Sequence, residues 1–196
     1  PTIITVSKTF SMTEILPLIN YGHLHLGKTK VKEAIEKWTN IKQKTNNIKL
    51  HMIGKLQSNK VKYVVPLFDY IHSLDNIKLA EKISIEQKKV NKKLKIFIQI
   101  NIGNEDQKSG IQIANLNSFY DTCIKKLDLD IIGLMCLPPN NDDTEKYFIK
   151  MKELTSMVNL KDTSMGMSND FIKASIHGST FIRVGSKIFG ERSKIF

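Results

Sequence analysis

Arginine is scarce in this chain of 196 residues: of its 30 basic residues only Arg183 and Arg192 are arginine, and 28 are lysine. Nucleic-acid surfaces lean on arginine for bidentate contacts and for stacking. The formal net charge of +11 therefore reads as a compositional bias, lysine alongside abundant Asn and Ile, rather than as a nucleic-acid surface. Lysines such as Lys88, Lys89, Lys92 and Lys93 scatter over helical faces, where solvent is the default partner. Cysteine is equally scarce. Cys123 and Cys136 have neither the spacing of a metal site nor the density of a disulfide framework, so both read as buried free thiols in a reducing compartment. No apolar run approaches the roughly 20 residues that span a bilayer. No basic start followed by an apolar stretch and a small-residue cleavage site is visible. A cytoplasmic location is expected, with neither membrane nor nucleic acid as partner. Also missing are HExxH spacing among the five histidines and a Ser/His/Asp elbow. Gly27-Lys28-Thr29 has the look of the end of a P-loop, too little to assign a nucleotide site.

What is present is alternation. Short β-branched runs at 2–6, 23–26, 48–53, 70–72, 94–101, 130–134, 160–164 and 180–184 predict strands. Between them lie helical patterns near 11–20, 29–44, 56–64, 75–90, 114–127, 142–158 and 169–177. Ser11 before Glu14 has the spacing of a capping box, and Asp75 is read as the N-cap of the fourth helix. Pro138-Pro139 closes a loop before the helix that starts near Asp142. Eight strands, each followed by a helix or turn, with no repeat or low-complexity linker, predict one α/β domain over residues 1–196, a (β/α)8 TIM-like barrel. A doubly wound open sheet is the runner-up. The chain opens inside a strand, which suggests a segment upstream of it.

In such barrels chemistry sits at the carboxyl ends of the strands. Polar, small and glycine residues collect there. Lys8 lies just past the first strand, where partial desolvation would lower an ammonium pKa and leave an amine able to form an imine; a surface lysine at a loop start is the other reading. Ser168 is read as the N-cap of the helix at 169–177, and Gly185 and Ser186 open the last turn, together a candidate phosphate site or ordinary capping. Arg183 sits within a strand, on the face opposite Ile182 and Val184. There it needs an acceptor, either a ligand or a salt-bridging carboxylate.

Several segments carry a resemblance: VSKT (6–9), HMIGKLQSNKVK (51–62), HSLD (72–75), IQIN (98–101) with E-x-x-K-x-G (105–110), IGLM (132–135), SMGMSND (164–170) and GSTFIRVGSKIFGER (178–192). In order and over nearly the whole chain they resemble the pyridoxal phosphate homeostasis proteins, relatives of the alanine racemase barrel. The resemblance implies an alanine racemase N-terminal type barrel, here without the helix that family members carry before the first strand. It implies intracellular binding and supply of pyridoxal 5′-phosphate (PLP), or vitamin B6 homeostasis, with PLP held as a Schiff base on Lys8. Ser168, Gly185 and Ser186 correspond to phosphate-holding positions, and Arg183 to the arginine facing the pyridine nitrogen. Asn59 and Met165 lie in motifs that line the mouth. No catalytic reaction is established for the family; PLP-dependent apoenzymes are the implied recipients, and a monomer is expected. A minimal racemase-like enzyme is one alternative, but no residue can be nominated as its second proton-transfer group. A degenerate barrel that has lost PLP binding is the other. Two departures bear on cofactor affinity. Leu26-Gly27-Lys28-Thr29 stands where the family reads FGEN, losing an acid and an amide, and Lys187 replaces a small residue.

Overall fold

The computed structural model describes residues 1–8, 10–45, 47–139 and 143–190. Thr9, Asp142 and Arg192, which the sequence places in the first motif, at a helix start and in the last motif, lie outside them. Eight strands are formed: β1 (Thr2–Val6), β2 (His25–Lys28), β3 (Lys49–Met52), β4 (Tyr70–Leu74), β5 (Lys95–Ile100), β6 (Asp130–Cys136), β7 (Asp162–Met167) and β8 (Phe181–Val184). Each pairs parallel with the next and β8 closes on β1, so the sheet is a closed barrel and the open-sheet alternative falls. The helices are α1 (Met12–Asn20), α2 (Val31–Lys44), α3 (Val61–Leu67), α4 (Ile77–Val90), α5 (Leu116–Asp121), α6 (Thr144–Met157), α7 (Phe171–Ile176) and α8 (Ser186–Phe189). None is long and apolar enough, among the described residues, to cross a membrane.

The strand period of two divides the core into two layers. Outward residues such as Leu26, Leu50, Ile71 and Ile98 pack against helix residues such as Trp38 and Phe148 in one large cluster. Inward residues Ile4, Tyr70, Phe97, Met135 and Phe181 form a second, smaller cluster inside the barrel.

The Ser11–Glu14 capping box forms, with the Ser11 amide donating to Glu14 Oε2 at 2.7 Å. The N-cap of α4 is Asn76 rather than Asp75: Asn76 Oδ1 accepts from the Leu79 amide at 2.9 Å, while Asp75 only accepts from the Asn76 side chain. Strand β2 starts two residues later than predicted and takes in Gly27 and Lys28. Both are weak strand formers, but pairing to His51 and Met52 of β3 overrides propensity. Strand β7 runs three residues past its predicted end, through a bulge that sets Ser164 opposite Phe181 and Met167 opposite Arg183. Gly166 makes the bulge possible. Its φ is +92° and a Cβ there would stand 2.5 Å from Ala174 Cβ, so only glycine fits.

Candidate ligand site at the barrel mouth

The carboxyl ends of the strands surround two adjoining lobes of about 370 and 430 Å³, within the roughly 300–1,000 Å³ range of small-molecule sites. Lys8, Ser168, Asp170, Gly185 and Ser186 line the first lobe. Thr29, Gly54, Gln99, Asn101 and Lys108 line the second, with Lys8 again. Val6, Met167 and Arg183 complete the wall that both lobes share with Lys8.

The loop carrying half-buried Lys8 is tied down on both sides. Lys28 Nζ donates to Ser7 O at 3.1 Å and Lys37 Nζ to Phe10 O at 2.8 Å. Glu33 Oε1 bridges the two ammonium groups at 2.8 and 3.0 Å. Burial raises the Glu33 carboxyl pKa, but the hydrogen bonds and charges of Lys28 and Lys37 outweigh it and bring it to about 2. Burial pulls Lys28 below its ordinary value, with Glu33 opposing. Lys28 is fully buried and lines neither lobe. The FGEN departure therefore places a neutralised cation behind the mouth rather than an uncompensated one in it, and only Thr29 reaches the cavity. The full spacing of a P-loop is present from Gly22 through Gly27-Lys28-Thr29. Gly27 and Lys28, however, are paired strand residues, not a loop opening a helix, so the nucleotide reading falls on geometry.

Arg183 is 4% exposed. It donates from one terminal nitrogen to Ser164 Oγ at 2.6 Å and from the other to Cys136 O at 2.9 Å. No carboxylate lies within ion-pair distance of it among the described residues, so the salt-bridge alternative is not what holds it. Burial lowers its pKa, while Cys136 and Asp170 act in the opposite direction. Both cysteines are free and buried as expected, and burial pushes each thiol up to about 12, which leaves them inert.

The structure brings together Lys8, Ser168, Arg183, Gly185 and Ser186. It does not bring Asn59 or Met165. Asn59 is exposed on the 3₁₀ turn Ser58–Lys60 that leads into α3. Met165 points into the helix layer. The bulge after it reverses the alternation, so Met167 lines the mouth instead. Ser168 is not a helix N-cap. Asp170 occupies that position and accepts from the Met167 amide at 2.7 Å, while Ser168 Oγ accepts from the Gly185 amide at 3.2 Å. Asp170 and Met167 were missed because a bulge leaves no trace in a period-two pattern; Gly166 inside a strand was the available signal. Lys187 is exposed and lines neither lobe.

Residues 2–193 match the family model described as the alanine racemase N-terminal domain. The pyridoxal phosphate homeostasis protein of Aquifex aeolicus is 35% identical over 195 residues, covering 95% of this chain and 85% of its own. The protein of that name from Escherichia coli K12 is 32% identical over 200 residues, covering 97% and 86%. This chain belongs to the pyridoxal phosphate homeostasis protein family. Among solved structures similar to this family member is PipY of Synechococcus elongatus PCC7942 with PLP bound, at TM-score 0.86 and 31% identity over 96% of this chain and 92% of PipY. Alanine racemase of Bartonella henselae matches at TM-score 0.74 and 15% identity, over 99% of this chain and 59% of the racemase; that likeness is one of fold.

Proposed function

We propose that this chain binds PLP at the barrel mouth and holds it for delivery, with Lys8 as the residue that captures it. The observation that carries the reading is that Lys8 and Arg183 line the same two lobes, with Ser168, Gly185 and Ser186 on the wall of one. That donor set fits the group. PLP supplies an aldehyde that an amine nucleophile can capture reversibly. Lys8 is the amine. Ser168 and the Gly185–Ser186 turn form the wall suited to a phosphate. Arg183 is suited to a ring nitrogen, because a guanidinium only donates hydrogen bonds and keeps its proton.

That last property favours a carrier over an enzyme. An arginine at the pyridine nitrogen leaves the nitrogen unprotonated and weakens the ring as an electron sink. PLP-dependent apoenzymes are the recipients this reading implies. A cytoplasmic monomer, one domain over residues 1–196, completes it, and the two free buried thiols support the reducing compartment. Titration of purified protein with PLP tests the proposal. A visible absorption band should rise to one equivalent and be bleached by borohydride. No band at saturating PLP would return the degenerate-barrel alternative.

A further inference from the structure

Four of the five histidines lie inside or at the base of the barrel rather than at its mouth, and three of them form a chain that ends on Arg183. His25 Nδ1 is 2.9 Å from His51 Nε2. His51 Nδ1 is 2.9 Å from His72 Nε2. His72 Nδ1 is 2.8 Å from Ser164 Oγ, the atom that accepts from Arg183. The residues come from β2, β3, β4, β7 and β8, so the chain crosses the interior from the amino-terminal end of β2 to the mouth. His51 and His72 are fully buried and stacked on Tyr70 and Phe97 at 4.1 and 4.3 Å. His25 is half-buried at the base.

We propose that Ser164, His72, His51 and His25 are positioning residues for Arg183, a polarised relay that takes the place of a carboxylate counter-ion. The direction of the relay follows from the arginine. A guanidinium only donates, so Ser164 Oγ accepts from it and has its own hydroxyl proton to give. The acceptor within reach is His72 Nδ1. Were His72 protonated on Nδ1 instead, it would also donate to Ser164 Oγ, and the hydroxyl proton would have no acceptor among the described residues. His72 is therefore the Nε2–H tautomer and donates to His51 Nδ1. His51 in turn is Nε2–H and donates to His25 Nδ1, leaving the His25 Nε2–H at the water-accessible base.

Every donor in the chain points away from Arg183 and every acceptor end points toward it. Aligned hydrogen bonds polarise one another in a low-dielectric interior, so the chain presents its negative ends to a buried cation without neutralising it. A charged second histidine would reverse that benefit, and burial together with Arg183 holds His72 well below its ordinary pKa, hence neutral. Two of the five guanidinium N–H groups are occupied, by Ser164 and Cys136 O. Arg183 also lines both lobes of the cavity, where its remaining donors can serve a ligand. What those donors serve rests on the PLP reading; the relay itself does not.

Nitrogen-15 spectra of the histidine rings in the ligand-free protein test it. All three rings should be Nε2–H at neutral pH, and any of them in the Nδ1–H form overturns the relay. Arg183→Met removes the group that sets the direction, and Ser164→Ala, a one-oxygen change, cuts the same link should the first variant fold poorly. In either, the ring shifts of His72, His51 and His25 should move together. A change confined to His72 overturns the proposal. Because these spectra need no PLP, failure of PLP capture with the tautomers as stated would sink the cofactor reading alone, and Nδ1–H rings with capture intact would sink the relay alone.

Discussion

Lys8 lies just beyond β1 and Lys28 ends β2, on the same side of the barrel, yet one lines the mouth while the other is sealed behind it. The same division separates Arg183, which reaches both lobes, from His51 and His72, whose ring nitrogens are taken up by one another, by His25 and by Ser164. The difference lies in surroundings rather than residue type. Lys28 meets Glu33 and a backbone carbonyl at hydrogen-bond distance. A buried ammonium so paired has little reason to leave, because desolvation without its partner costs several kcal/mol. In a chain with 28 lysines, chemical identity selects nothing; the wall on which a side chain ends does.

The largest effect expected is at Lys8. Lys8→Ala should abolish borohydride-trapped PLP entirely while far-UV circular dichroism stays that of the folded barrel. Residual trapping at the wild-type level would erase the distinction between the two lysines.

Next is the pH response of the sealed interior. His51 and His72 are held neutral, chiefly by burial, well below the ordinary 6.5. Below that pH the unfolded chain takes up protons that the folded chain refuses, so stability falls as pH falls. With two such groups the slope approaches about 2.7 kcal/mol per pH unit. Denaturant unfolding between pH 7 and pH 5 measures it, and a flat profile would mean that the interior histidines titrate freely.

Arg183→Glu should weaken PLP binding about ten- to a hundredfold, from loss of a charged hydrogen bond of roughly 1.5–3 kcal/mol. Melting curves separate its two roles. The loss should be larger with PLP present than without, and equal losses would assign Arg183 to the scaffold. Lys28→Met should have the smallest effect at the mouth. It leaves Ser7 O short of a donor, costing about 1–3 kcal/mol of stability, while trapping on Lys8 stays within about twofold of wild type, a factor worth only ~0.4 kcal/mol.

The barrel itself was legible because most of its strands are short apolar runs, several of them β-branched as in β1 and β5, and its longer helices carry an apolar stripe, two periods that do not mimic each other. Residues at strand ends were legible as mouth residues because a parallel barrel sends every such end to one face. What stayed hidden depended on contacts between distant segments. Met167 displaces Met165 only because β7 bulges against β8. Ser168 bonds to Gly185 and not to its own helix. Lys28 reads as an anomaly in the motif until Glu33, in the first turn of α2, is brought against it. The histidine relay was likewise invisible as a motif, since its members are 26, 21 and 92 residues apart in successive links.

Site mapping of the trapped adduct tests the central claim most directly. Protein loaded with PLP, reduced with borohydride and digested should yield a single pyridoxyl-modified peptide, carrying the label on Lys8. A label on Lys28, or spread across surface lysines such as Lys60, would contradict the account.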